Sequence, residues 1–354
     1  MSNFIVIGPV NRQSAICASV FRDVCDGAVP NARYMNITDL FGPLRLAYHA
    51  LYNRRLKYLL RGSPALTKAS IRAANAVLRH SHRVHFRKLE ALISPDADNY
   101  IIFLPGIRLH LLPPSAIESI RERHPECHLI FYFVDALERA ASVNSLSEGD
   151  ILAYLSHYDA VYTYDRADAA RFAGRMRFVD IPLWHAPAPA PSAPEADLYF
   201  CGRNKKRGEL LLAIHRRLSD AGMRCRMQIA GEEGMAGTLP GVTHSSWVPY
   251  EDTVAELNRA NCVLEVLAAF NKEPTLRYKE AVIYNKKFLT NNPDIASLPY
   301  YDPRWMRSFQ TAQDIDLDWL RAVEPVDYGY RGEYGAETFF KRVEEEFSRG
   351  RGTP

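Results

Sequence analysis

Leu198-Tyr199-Phe200-Cys201, followed at once by Gly202-Arg203-Asn204-Lys205-Lys206-Arg207-Gly208, is the stretch from which the architecture can be read. An unbroken apolar run of this length suits a strand covered on both faces. Glycine then lets the backbone turn, four cationic side chains crowd the loop, and the periodicity over 209–221 predicts a helix. Strand, short loop and helix together form half of a βαβ unit, the connection that parallel strands require.

The same grammar recurs on both sides of this stretch. Phe4-Ile5-Val6-Ile7 meets a Gly8-Pro9 turn and a helix from about Ser14; Tyr100-Ile101-Ile102-Phe103-Leu104 gives way to Pro105-Gly106; and the run 128–134 ends at Asp135. Strands are also expected at 160–164 and 177–181, then at 225–230 and 262–267, with a helix over 252–260 between the last two. Continuous apolar runs joined by helices predict an α/β fold with two Rossmann-like doubly wound domains facing a cleft.

A chain of 354 residues exceeds the size at which one core usually stops growing. Residues 184–196 are mostly proline and alanine, an extended spacer, so the expected domains are 1–183 and 197–332, with a terminal amphipathic helix in 333–354 that either packs on its own domain or crosses back to the first. Six cysteines form no Cys-x-x-Cys pair, the amino end has no basic leader, and no apolar run nears the roughly 20 residues of a membrane span. A cytoplasmic protein is expected.

The net charge of +3 conceals an asymmetry: residues 45–90 hold eleven Lys/Arg against Glu90 alone, giving +10 there and −7 elsewhere. A basic amphipathic pair of helices could dock on an anionic membrane surface or remain a solvated face. No nucleic-acid-binding motif accompanies the charge, so nucleic acid is not an expected partner.

The second informative stretch is Glu273-Pro274-Thr275-Leu276-Arg277-Tyr278-Lys279-Glu280, a helix start with Pro274 read as its first residue. The amides of Thr275 and Leu276 would favour an anion, Arg277 offers a fork matched to phosphate, and Glu280 one turn later could accept hydroxyls of a sugar. The bland alternative is an intrahelical Arg277–Glu280 ion pair. In the basic loop, Gly202, Arg203 and Lys205 are the candidate diphosphate contacts, with Lys206 and Arg207 expected to face water. Asp135, at a strand's carboxyl end, is the candidate catalytic base, ahead of His110, Arg12 and His185. Asp314-Ile315-Asp316 lies in a polar stretch and reads as surface, so no metal and no cofactor are expected.

These residues resemble those of GT-B-type glycosyltransferases, and more narrowly of bacterial enzymes building lipopolysaccharide or capsular polysaccharide. The likeness is carried by 199–207, by Gln228-Ile229-Ala230-Gly231, by Thr275-Leu276-Arg277 through Glu280-Ala281 to 287–292, and by 131–135 and 158–165. It implies a nucleotide-sugar donor site in the second domain, with Glu280 on the ribose and Arg277 on the diphosphate. It also implies a saccharide or lipid-linked acceptor in the first domain, and work at the inner membrane face. The chain departs from the Glu-x7-Glu pattern of many such enzymes, since six residues separate Glu273 from Glu280. A nucleotide-sugar epimerase and a non-catalytic saccharide- or membrane-binding protein on the same scaffold remain alternatives. Donor sugar, base, acceptor and stereochemical course stay open.

Overall fold

The computed structural model describes residues 1–8, 19–41, 84–104, 112–134, 137–186, 193–230, 240–245, 248–267 and 274–350, with Leu109 and a few positions between 63 and 76. The chain divides into two compact units: unit 1 comprises Met1–Trp184 and Gly335–Pro354, and unit 2 comprises His185–Tyr334. Most of the basic segment 45–90, the helix expected from Ser14, and residues 187–192 of the Pro/Ala spacer lie outside the described residues.

Unit 1 carries strands β1 (Ser2–Gly8), β2 (Ala32–Asn36), β3 (Asp98–Phe103), β4 (His128–Phe133), β5 (Ala160–Thr163) and β6 (Arg177–Phe178) in the order β2-β1-β3-β4-β5-β6. All five pairings are parallel. Unit 2 repeats the plan with β7 (Ala196–Arg203), β8 (Cys225–Ala230), β9 (Val242–Ser245), β10 (Ala260–Glu265), β11 (Lys287–Thr290) and β12 (Met306–Ser308), ordered β12-β11-β10-β7-β8-β9 and again parallel throughout. The expected pair of doubly wound α/β sheets is therefore present. The edge strands β2, β9 and β12 escaped the sequence reading: they are short and carry polar residues, because an edge is covered on fewer sides than a centre.

Of the helices, α1 (Pro114–Arg123), α2 (Leu137–Asn144) and α3 (Glu148–Leu155) accompany the first sheet; α4 (Gly208–Asp220), α5 (Tyr250–Asn258) and α6 (Leu276–Ile283) accompany the second; α7 (Ala336–Gly350) ends the described chain. Alternation along each strand divides the core of unit 1. Ile5, Ile7, Ile101, Phe103, Leu129 and Phe131 point to one face, where Ile117 and Ile120 of α1 and Ile151 and Leu155 of α3 cover them. The opposite face presents aromatic rings, and α7 supplies the cover. Phe340 stacks on Phe4 at 4.4 Å, Phe339 meets Tyr132 at 5.0 Å, and Phe347 lies edge-on to Tyr100 at 5.5 Å between ring centroids. Ser2 donates to Glu344 at 2.5 Å, and Glu346 accepts from both Tyr162 and Arg177. The last helix in sequence thus completes the first unit's core.

Candidate functional site: the carboxyl ends of β7 and β10

In unit 2 the chain runs from β7 outward to β8 and β9, then returns to the other side of β7 as β10. Loops leaving these two neighbouring strands consequently diverge, opening a crevice at their carboxyl ends, the position where open parallel sheets bind ligands. Val263 pairs with Tyr199, so Glu265 ends β10 near the level where Gly202 and Arg203 end β7.

The β7 loop is held by a turn and by one side chain. The Asn204 amide donates to Ala230 at 2.9 Å, and the Arg207 amide closes the turn on the Asn204 carbonyl at 2.9 Å. Lys205 and Lys206, both exposed, adopt the left-handed region with φ of 45° and 65°. Two adjacent non-glycine residues there carry backbone strain, a feature that clusters at ligand sites. Arg203 is exposed.

Arg207, expected to face water, instead folds back. Its Nε donates to the Arg203 carbonyl at 3.1 Å, its Nη1 donates to the Val266 carbonyl, and its guanidinium lies 5.2 Å from the Phe200 ring centroid. Burial lowers its pKa to about 10 against the pull of Glu265. Two backbone carbonyls and an aromatic face partly offset the cost of taking the guanidinium out of water. Gly202 makes room for this: a Cβ there would stand 2.8 Å from Arg207 Nη2 and 3.1 Å from the Phe200 ring.

On the other side of the crevice, Thr275 and not Pro274 marks the helix start. Its hydroxyl accepts from the Arg277 amide at 3.2 Å as the N-cap, Leu276 opens α6, and Pro274 stands before the cap. The cap wins because it satisfies one of the helix's orphan donors, which proline at the first position only avoids supplying. The Thr275 amide donates to Glu265 Oε1 at 2.6 Å, and Thr290 on β11 donates to Glu265 Oε2 at 2.8 Å. A carboxylate of the protein itself therefore faces the amino end of α6, where the sequence reading placed a ligand anion. Burial raises the Glu265 pKa, opposed by these hydrogen bonds and by Arg207. Sequence reasoning missed Glu265 because it sits within an apolar strand; the signal was there, since a lone acid in such a run must find buried partners.

Arg277 and Glu280 do come together, on each other. Arg277 Nη1 pairs with Glu280 Oε2, and Tyr250, the first residue of α5, donates to Glu280 Oε1 at 2.9 Å. Glu280 is fully buried and the Arg277 side chain is 16% exposed. Burial would lower the pKa of Arg277, but Glu280 overrides it and the guanidinium stays charged. Burial raises the Glu280 pKa, with Arg277 and Tyr250 acting in the opposite sense. The ion pair regarded as the bland alternative thus forms, and both carboxylate oxygens are engaged.

Asp135, Glu273, His110, Arg12 and the glycine-rich stretch 231–237 lie outside the described residues. His185 is placed in unit 2, stacked on Tyr330 with Nε2 2.7 Å from its hydroxyl. In the Asp-x-Asp stretch, Asp314 caps Thr311 and Asp316 caps the Trp319 amide while pairing with Arg307. Among the described residues no helix is long and apolar enough to cross a membrane.

Two parallel six-stranded α/β units of this kind define the GT-B fold, the scaffold of a large class of glycosyltransferases. Anabaena HepE, solved in complex with UDP and glucose, matches over 99% of this chain and 100% of its own, with a TM-score of 0.51 and 11% identity. S. aureus TarM, solved as a point mutant in complex with fondaparinux, alpha-GlcNAc-glycerol and UDP, matches 77% of this chain at a TM-score of 0.47 and 13% identity; the chain spans 58% of TarM. The calicheamicin glycosyltransferase CalG4 matches over the full length of both chains at 0.42 and 10%. No family model and no curated protein sequence matches.

Proposed function

We propose that this protein transfers a sugar from a nucleotide-activated donor to a saccharide or lipid-linked acceptor, in the synthesis of a bacterial surface polysaccharide. The observation that carries the reading is the crevice at the carboxyl ends of β7 and β10, where the reversal of strand order coincides with a cationic, strained turn. Exposed Arg203 and Lys205 supply positive charge for the diphosphate, joined by Arg277 across the crevice. At the amino end of α6 the Leu276 amide is offered to the same ligand, since Glu265 already holds the Thr275 amide, and Gly202 allows the loop its close approach. Cationic side chains take the role that a bound metal would otherwise fill in offsetting the leaving group's charge. Unit 1 provides the acceptor half, with Asp135 as the base, and the basic segment 45–90 docks on an anionic membrane surface.

HepE's complex with UDP and glucose makes uridine diphosphate sugars the first donors to try. The purified protein is incubated with UDP-, GDP-, ADP- and dTDP-sugars, and release of free nucleoside diphosphate is followed with and without chelator. Thermal stabilisation by one nucleoside diphosphate, weakened in Lys205→Ala and Arg203→Ala, supports the donor site. Indifference to all four would end it. Release that stops on adding EDTA would overturn metal independence.

A further inference from the structure

Resting on that reading, we infer that Tyr250 is a positioning residue for the donor: its hydroxyl fixes the Glu280 carboxylate, and through it the direction in which Arg277 presents its guanidinium. An arginine side chain turns about several torsions, so its aim is set by whatever its fork is bonded to. Here that is Glu280 Oε2, on the same helix. The carboxylate's other oxygen, Oε1, is held at 2.9 Å by a hydroxyl from a different helix, thirty residues earlier in sequence. Burial places the Tyr250 pKa well above its usual value, so the hydroxyl keeps its proton and remains the donor.

The tie joins two helices that pack into one core beside β10. Tyr250 opens α5, which leads into β10, whereas Glu280 lies in α6, which follows β10. Arg277 is thereby held by Glu280 on its own helix and, through that carboxylate, by Tyr250 on α5. Without the tyrosine hydroxyl, Glu280 would hold a buried oxygen lacking that donor, and its carboxylate could rotate and take Arg277 with it.

The charged and titratable groups facing Glu280 are Arg277 on α6, Tyr250 on α5, Glu265 at the end of β10 and Tyr199 on β7, the last kept neutral by burial. Arg277 and Tyr250 favour the ionised carboxylate, whereas Glu265 opposes it. Removing the hydroxyl should therefore move the acid limb of donor binding to higher pH, an effect that simple loosening of the fold would not produce.

The test compares the full-length protein with Tyr250→Phe, Glu280→Gln and the double variant, titrating the stabilising nucleoside diphosphate between pH 5 and 9. Tyr250→Phe keeps the ring and should fold. It should bind about tenfold more weakly, as expected for one lost hydrogen bond to a charged group, with its acid limb displaced upward. The double variant should bind no more weakly than the worse single variant, because both changes break one linkage. Wild-type affinity and an unmoved pH profile in Tyr250→Phe would overturn the proposal while leaving the donor site standing. Additive losses in the double variant would overturn it as well, and this arm serves even if one single variant is unstable. Absence of nucleotide binding by the wild type would bring down the donor site and this role together.

Discussion

Unit 1 and unit 2 are wound alike, yet every charged side chain buried among the described residues, Glu265, Lys279, Glu280 and Lys287, belongs to unit 2. The buried polar residues of unit 1 are uncharged: Ser19, Thr38, Asn99 and Thr163. Unit 1 is sealed with aromatic rings, and part of that seal comes from α7. Unit 2 keeps ions inside and gives each of them partners. Glu265 and Glu280 find theirs at the crevice, Lys279 lies over the Tyr334 ring, and Lys287 donates to the Trp319 and Ala322 carbonyls. Buried ions give weak net stability compared with apolar packing. Their confinement to one of two matching sheets supports the proposal that unit 2 is the donor half.

The sharpest break in that comparison would come from removing residues 335–354. Phe339, Phe340 and Val343 are buried, and at ~1.5–3 kcal/mol for each buried side chain their loss rivals a domain's whole stability. Calorimetry should show unit 1 losing its cooperative transition while unit 2 keeps its own; a truncated protein with two intact transitions would show that the helix is dispensable.

Glu280→Ala tests the opposite half. It strands the Arg277 charge, at a cost of about 3 kcal/mol in urea unfolding, and Arg277→Ala/Glu280→Ala should be more stable than the sum of the single losses. Additive losses would mean that the pair is not a unit.

Gly202→Ala should cost roughly 1–2 kcal/mol, because the new methyl displaces Arg207 from its carbonyls. Unchanged stability with unchanged nucleotide affinity would show that the arginine's folded-back position is incidental.

The β7 turn separates strain from function. Lys205→Gly and Lys206→Gly should each gain about 1 kcal/mol by relieving the left-handed backbone. Only Lys205→Gly should also weaken donor binding. Equal effects on binding would reassign the contact.

The smallest effect should be alike in both units. Burial raises Cys127 in unit 1 and Cys225 in unit 2 to about 12. A thiol so shifted holds only ~10⁻⁴ of its population as thiolate at pH 8. Both should resist alkylation in the native protein and react after unfolding, read by mass spectrometry.

Much of this organisation is legible without coordinates. The runs 4–7, 100–104 and 128–134 announce themselves as central strands, since a strand covered on both faces must be apolar at nearly every position. The strand-loop-helix at 198–221 and the helix carrying Arg277 are equally plain. Three features are not. Arg207 reads like its neighbours Lys205 and Lys206, and only the approach of the Val266 carbonyl and the Phe200 ring distinguishes it. Tyr250 and Glu280 lie thirty residues apart, and no local pattern shows that they meet. Glu265 gives a hint through its apolar surroundings, but its partners Thr275 and Thr290 come from two other elements.

By itself, then, the sequence determined the two parallel sheets, the cations at the end of β7 and the presence of a helix after β10, because these depend on periodicity and on chemistry between near neighbours. The tertiary structure alone decided which cations face solvent and which carboxylates are enclosed. Those outcomes turn on the desolvation of charge and on packing between distant segments, and both are set only when the strands have found their order.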